Sequence, residues 1–177
     1  MENIDSLAPQ QKHLVFDLLN QLDFDTSDWI DSLSSDSPPA SNPKYCFDWS
    51  FIRQDEKIIV LNLWHEELLE SNGTIFQEHK FKEDASFATD KKRRNRALDI
   101  DKACRTAFTK GIPLRVLICK GDINHSKVHK RELDTEFWAV TAYDLVSGAC
   151  IIERGTTPNL PNFIDQFDID RSQSTPE

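Results

Sequence analysis

The chain has 177 residues, 38% of them hydrophobic, with 21 Lys and Arg against 30 Asp and Glu for a formal net charge of -9. That length suits one domain with a sizeable core rather than two, and no apolar window of about 18 residues exists to make a transmembrane helix. The opening MENIDSLAPQQ has neither a basic start nor an apolar run, so it does not read as a signal peptide and a cytoplasmic location is expected; Cys46, Cys104, Cys119 and Cys150 are widely spaced with no CxxC, which reads as core thiols of a reducing compartment rather than a zinc site.

Residues 7–22 predict a helix, with Ser6 as cap and Leu14, Val15, Leu18, Leu19 and Leu22 on one face. A short second helix is expected from Thr26 through Trp29, Ile30 and Leu33. Residues 1–33 therefore form an N-terminal helical element, either a cap on the core or the surface of a homodimer. Residues 34–43, SSDSPPASNP, are a linker by composition.

The compact part spans 44–155. In YCFDWSFIR, Tyr45, Phe47, Trp49 and Phe51 alternate with Cys46, Asp48 and Ser50, the pattern of a half-buried strand. Gln54-Asp55-Glu56 suits a turn into KIIVLNLW, a second strand rich in β-branched residues. HEELLESNG reads as an excursion ending at Asn72-Gly73, TIFQEHKF as a third strand, and residues 82–88 as a polar loop. A long helix follows, capped by Thr89, begun by Asp90 and stopped at Gly111 before Pro113. Its buried face is Ala97, Ile100, Cys104, Ala107 and Phe108. LRVLIC is a near-continuous apolar run, as in a central strand. DINHSKVHKR reads as a basic loop, and EFWAVTAYDL and ACIIERG as a hairpin turning at Val146-Ser147-Gly148. Residues 156–177 are a tail, anchored at most by Phe163, Ile164 and Phe167. The expected fold is α+β: a mixed, mostly antiparallel sheet of about five or six strands packed on one long basic helix.

Charge is segregated along this chain. Residues 91–131 hold thirteen Lys or Arg less three acids, a local balance of +10, which leaves -19 on the rest of a chain of net -9. Most such runs are solvated surface. Here Lys91, Lys92, Arg93, Arg94 and Arg96 occupy the first two turns of a helix, where the macrodipole disfavours cations by roughly 0.3–1 kcal/mol each. A phosphate at that end would meet both free N–H groups and cationic side chains. Arg105 on the helix and Lys127, Lys130 and Arg131 in the following loop extend the basic surface.

Catalytic patterns are sparse. An HNH centre lacks its spacing, and there is no P-loop, GxGxxG or Ser-His-Asp order. Glu78-His79-Lys80 matches half of a PD-(D/E)xK site, with Asp48 or Asp55 as the first acid. Chance matches of three residues are common. His125 and His129 with His65 and His79 could be assembled into a metal site, but phosphate contact is the better reading of a basic loop without thiolates. No cofactor is expected. Trp49, Trp64, Trp138 and Tyr143 are the aromatic residues placed to line a pocket for a flipped or modified base, with core packing as the plainer alternative.

NPKYCFDWSF, VLNLWHEEL, the Arg-rich helix followed by GIPLRVLICKG, LDTEFWAVTAYDLVSGACIIERG and NFIDQF together resemble the N-terminal domain found ahead of HNH nuclease domains in bacterial restriction endonucleases. The blocks are ordered and span almost the whole chain. In that family the HNH domain follows soon after the segment resembling FIDQF, whereas this sequence ends at Glu177. The resemblance implies a recognition module of modification-dependent restriction, bound to modified double-stranded DNA. It transfers no catalytic residue. Three functions are thus in view: a DNA-recognition module, a small metal-dependent nuclease using Asp48, Glu78 and Lys80, and an adaptor whose basic face meets an acidic partner.

Overall fold

The computed structural model describes residues 3–30, 37–42 and 46–159. Two apolar runs make its centre. β2 (Ile59–Trp64) is buried at every position, and β5 (Leu114–Asp122) is buried over most of its first half. They pair in parallel from Ile59↔Leu114 to Trp64↔Cys119. Strands that read as continuous apolar runs must be covered on both faces, and helices do this. Ile59, Leu61, Leu63, Leu114, Val116 and Ile118 pack with Ala103, Cys104 and Ala107 of α3 (Lys91–Lys110) and with Phe81 of α2 (Phe81–Phe87). The opposite face, at Val60 and Leu117, is covered by Val15, Leu18 and Leu19 of α1 (Val15–Gln21) and by Trp29. The N-terminal element is therefore a cap on the core.

The sheet has eight strands in the order β1 (Ser50–Ile52), β2, β5, β7 (Trp138–Tyr143), β8 (Cys150–Arg154), β4 (Thr74–His79), β3 (Leu69–Ser71), while β6 (Lys127–Leu133) pairs with the outer half of β5. Every pairing except β2–β5 is antiparallel. The class is α+β as expected, with more strands.

The extra strands have physical causes that hydrophobic pattern does not carry. Asn72 and Gly73 both take positive φ, 52° and 78°, which closes a two-residue hairpin and zips exposed Leu69–Ser71 onto β4. The segment expected as a basic loop is a hairpin: KVHKREL pairs along β5 through its backbone, with Lys127, His129 and Lys130 exposed and the other residues half-buried. The polar loop at 82–88 is mostly helix, because Phe81 and Ala85, four apart, share one buried face.

Other elements are shorter than expected. The helix predicted from residue 7 begins at Val15. Ser6 lies in a 3-10 turn, Ile4–Leu7, that Asn3 caps, and residues 11–13 run extended beside β6, with Arg131 N donating to Gln11 O and His13 N to Arg131 O. Of the expected second helix, the described residues form the 3-10 turn Ser27–Trp29. The first strand starts at Ser50, and Phe47 is exposed rather than core. Asp90, not Thr89, caps α3: its side chain accepts from Lys92 N at 2.6 Å. Gly111 ends the helix in the left-handed region, φ 62°. Tyr45, Leu33, much of the linker, and the tail residues Phe163, Ile164 and Phe167 lie outside the described residues. Among the described residues no helix is long and apolar enough to cross a membrane.

Candidate nucleic-acid interface

Phe47 and Trp49, which lead into β1, share a cavity of about 490 Å³ with Gln77 and His79 of β4. Four strands separate β1 from β4 in the sheet order, so the sheet must curl to bring them together. One wall is aromatic: the Trp49 and Trp64 rings lie 4.9 Å apart between centroids, tilted by 44°. Trp64 is the last residue of β2 and is buried, whereas Trp49 is half-buried and open to the cavity.

A second wall comes from the start of α3. Arg93 and Arg96, three apart, project on one face with Ala97 and Ile100 below them. Arg96 stacks over Phe47 at 5.3 Å from the ring centroid and pairs with Asp48 at 3.7 Å. Lys91, Lys92 and Arg94 are exposed on the same first turns, and Arg94 donates to Ala88 O, bridging α3 to the residue after α2.

The third wall is the tip of the β5–β6 hairpin, Ile123, His125 and Ser126. A bulge between Lys120 and Gly121 aims that tip, and a Cβ at Gly121 would stand 2.1 Å from Lys127 O, so only glycine fits. Asp122 accepts from His125 Nδ1 at 2.7 Å, and that bond holds the Asp122 carboxyl below its usual range. A neighbouring cavity of about 480 Å³ shares Phe47, Trp49, His125 and Ser126 and adds Lys127 and Arg131. Arg131 donates to His13 O, yet its buried Nε has no partner among the described residues. The two basic segments thus flank one aromatic wall.

The floor is polar. Gln77 Nε2 donates to Glu67 Oε2 at 3.0 Å and lies 3.4 Å from His79 Nδ1. His79 Nε2 donates to Asp84 Oδ2 at 2.5 Å, and its ring stacks on Phe81 at 3.9 Å. Burial pushes the Glu67 carboxyl above its ordinary value, an effect that His79 and the Gln77 hydrogen bond partly offset. Asn62 completes the floor, its Oδ1 accepting from Cys119 Sγ.

No family model matches this chain, and neither does any curated protein or solved structure.

The remaining sequence-predicted residues lie elsewhere. Trp138 is fully buried in the core, donating from Nε1 to Asp134 Oδ2 at 2.7 Å, while Arg154 clamps both oxygens of that carboxylate. It is a structural residue, and its place at the start of a strand is no guide to a pocket. Tyr143 donates to Asp101 Oδ1, and burial with that acidic neighbour pushes its hydroxyl pKa far up. It lines a wider cavity of about 770 Å³ with Glu78 and Lys80, which shares only His79 and Asp84 with the first. Asp48 lines a different cavity, and Lys80 pairs with Glu83 at 3.6 Å, so Asp48, Glu78 and Lys80 are not gathered into one site. Arg105 and Lys130 are exposed and line neither of the two adjoining cavities.

The four histidines weighed as metal ligands are also dispersed. His65 is buried, its Nε2 donating to Ile4 O at 2.9 Å, while His79 lies in the floor, His125 in the third wall, and His129 is exposed. Among the described residues no group of three His, Cys, Asp or Glu could hold a metal ion.

Sequence reasoning missed Glu67, Gln77 and His79 as cavity residues. A signal was available: in TIFQEH, Ile75 and Gln77 share the buried face, and an inward-facing glutamine where an apolar residue is expected marks a polar site.

Proposed function

We propose that this chain is a DNA-recognition module, without catalysis of its own, that grips the backbone of double-stranded DNA and takes a modified base into the cavity walled by Trp49 and Trp64. The observation that carries this reading is that the two basic segments line adjoining cavities on either side of a shared Phe47–Trp49 wall, one of them with a polar floor. The volume of that cavity is within the range of about 300–1,000 Å³ usual for small-ligand sites. Phosphate contacts position a protein on a duplex, and base contacts specify. The flanks are suited to phosphate contact, with Lys91, Lys92, Arg93, Arg94 and Arg96 on one side and Lys127 and Arg131 on the other. Trp49 is suited to base contact, since an unstacked base regains part of its lost stacking on an aromatic ring. The resemblance to domains ahead of HNH nucleases supplies the context, a modification-dependent restriction system acting in the cytoplasm on foreign DNA.

Fluorescence anisotropy against otherwise identical duplexes, unmodified, methylated, hydroxymethylated or phosphorothioated, tests the proposal. One modified duplex should bind at least about tenfold tighter than the unmodified one, the discrimination of a single good base contact. Equal, weak binding to all of them would leave only a basic surface. Absence of binding at low salt would overturn the reading.

A further inference from the structure

Lys120 and Lys130 stand directly opposite one another across the β5–β6 hairpin, both exposed and neither in an ion pair among the described residues. Like charges so placed destabilise a strand pair, and a polyanion laid along the hairpin would neutralise both. Beyond them the chain reverses within residues 123–126, with Ser126 N donating to Ile123 O at 3.0 Å and Ser126 taking φ 52°. Asn124 and His125 form the apex. Asn124 is exposed, and its amide has no hydrogen-bond partner among the described residues. The His125 side chain is 79% exposed, yet Asp122 fixes it, accepting from His125 N at 3.3 Å and from Nδ1 at 2.7 Å. A planar ring is thus held out from the surface on the border of both cavities, beside Phe47 and Trp49.

Taking a base out of a duplex leaves a hole in the stack and an orphaned partner base, and the lost stacking is costly. A group that fills the hole must project from the surface next to the receiving cavity. It must also sit on an element slim enough for a groove, as a two-stranded ribbon is. The hairpin tip meets all three conditions. The long cationic side chains of the first turns of α3 suit phosphates instead. We propose that the tip of the β5–β6 hairpin enters the duplex as a wedge: the His125 ring stacks in the space left by the extruded base, the Asn124 amide hydrogen-bonds the orphaned partner, and Lys120 and Lys130 hold the phosphates alongside. The inference rests on the DNA-recognition reading and adds the element that keeps the duplex open. Asp122 is a positioning residue, since it touches the ring and not the DNA.

The test compares two duplexes that carry the same unpaired cytosine, in one as a mismatch opposite thymine and in the other as a single-nucleotide bulge. Extruding the mismatched base leaves a hole and an orphan. Extruding the bulged base leaves neither, because the flanking pairs close on each other. In fluorescence anisotropy, a variant with both Asn124→Ala and His125→Ala should bind the mismatch about 5- to 150-fold more weakly than wild type, the worth of one stacking ring. It should bind the bulge as wild type does. Asn124→Ala alone, which breaks no hydrogen bond among the described residues and so should leave the melting midpoint unchanged, should shift the two affinities in the same unequal way. Lys120→Gln should weaken both duplexes alike, because phosphates flank the site in either. Equal losses on mismatch and bulge in the double variant, or no loss on either, would overturn the wedge and leave the DNA-recognition reading intact. Wild-type affinity in Lys120→Gln would overturn the seating of the hairpin along the backbone. No binding of wild type to either duplex would overturn both readings.

Discussion

Trp49→Ala separates a recognition ring from a core ring. Trp49 is half-buried and contacts Trp64 at 4.9 Å, while the principal apolar clusters lie behind it. Removing it forfeits one aromatic pair, worth about 0.5–1.5 kcal/mol beyond area. In a chain of this size that shifts the thermal midpoint by about 1–6 °C. Loss of a stacking platform costs roughly 1–3 kcal/mol per base in binding, about 5- to 150-fold in Kd. Melting followed by circular dichroism and anisotropy with an unpaired-base duplex measure the two quantities on the same sample. A small loss of stability with a large loss of affinity for that duplex is expected. A Trp49→Ala protein that keeps wild-type affinity, or one whose midpoint collapses by tens of degrees, would refute the placement of the ring in a binding wall.

The other perturbations follow from burial, close approach and charge. Trp138→Ala should lose about 3–5 kcal/mol of stability, read by urea denaturation, and leave the Asp134 carboxylate without its indole donor. Gly121→Ala should destabilise by about 1–3 kcal/mol and weaken DNA binding together, because its Cβ meets Lys127 O at 2.1 Å and the hairpin must shift. The Glu67 carboxyl, raised by burial above its ordinary value of 4.5, keeps its proton longer in the folded chain than in the unfolded one. Its contribution is therefore fully present below that value and is lost as pH rises through the folded pKa. Urea midpoints of wild type and Glu67→Gln across this window should converge at its acid end and separate above it, the variant being the more stable.

The fold was legible where burial imposes a pattern. IVLNLW and LRVLIC announced the paired central strands, and Gly111 marked the end of the long helix, whose cap is Asp90 rather than the expected Thr89. It was illegible where backbone alone decides. KVHKREL has no apolar alternation because Leu133 is its one residue packed on a core cluster, and it became a strand through β5. LES joined the sheet because Asn72-Gly73 tolerate positive φ. The site was half legible. Charge segregation located Arg93, Arg96 and Lys127, and aromatic content located Trp49 and Trp64. That these meet across a curled sheet, and that Gln77 and Glu67 lie beneath them, depends on long-range pairing that no local spacing encodes. Trp138 shows the converse: an indole at a strand end has the residue type of a pocket wall, yet its N–H is already committed to Asp134.

The most direct test of a cavity held against DNA by flanks on both sides is the salt dependence of binding. Log affinity for duplex should fall linearly with log salt, at about 0.9 per phosphate neutralised. Arg93 stands at the start of α3 and Lys127 on β6, across the aromatic wall from one another. Arg93→Ala and Lys127→Ala should each reduce the slope by about 0.9, and the double variant by about 1.8, equally for every sequence. A double variant with the wild-type slope would contradict the account, because neither flank would then be touching phosphate.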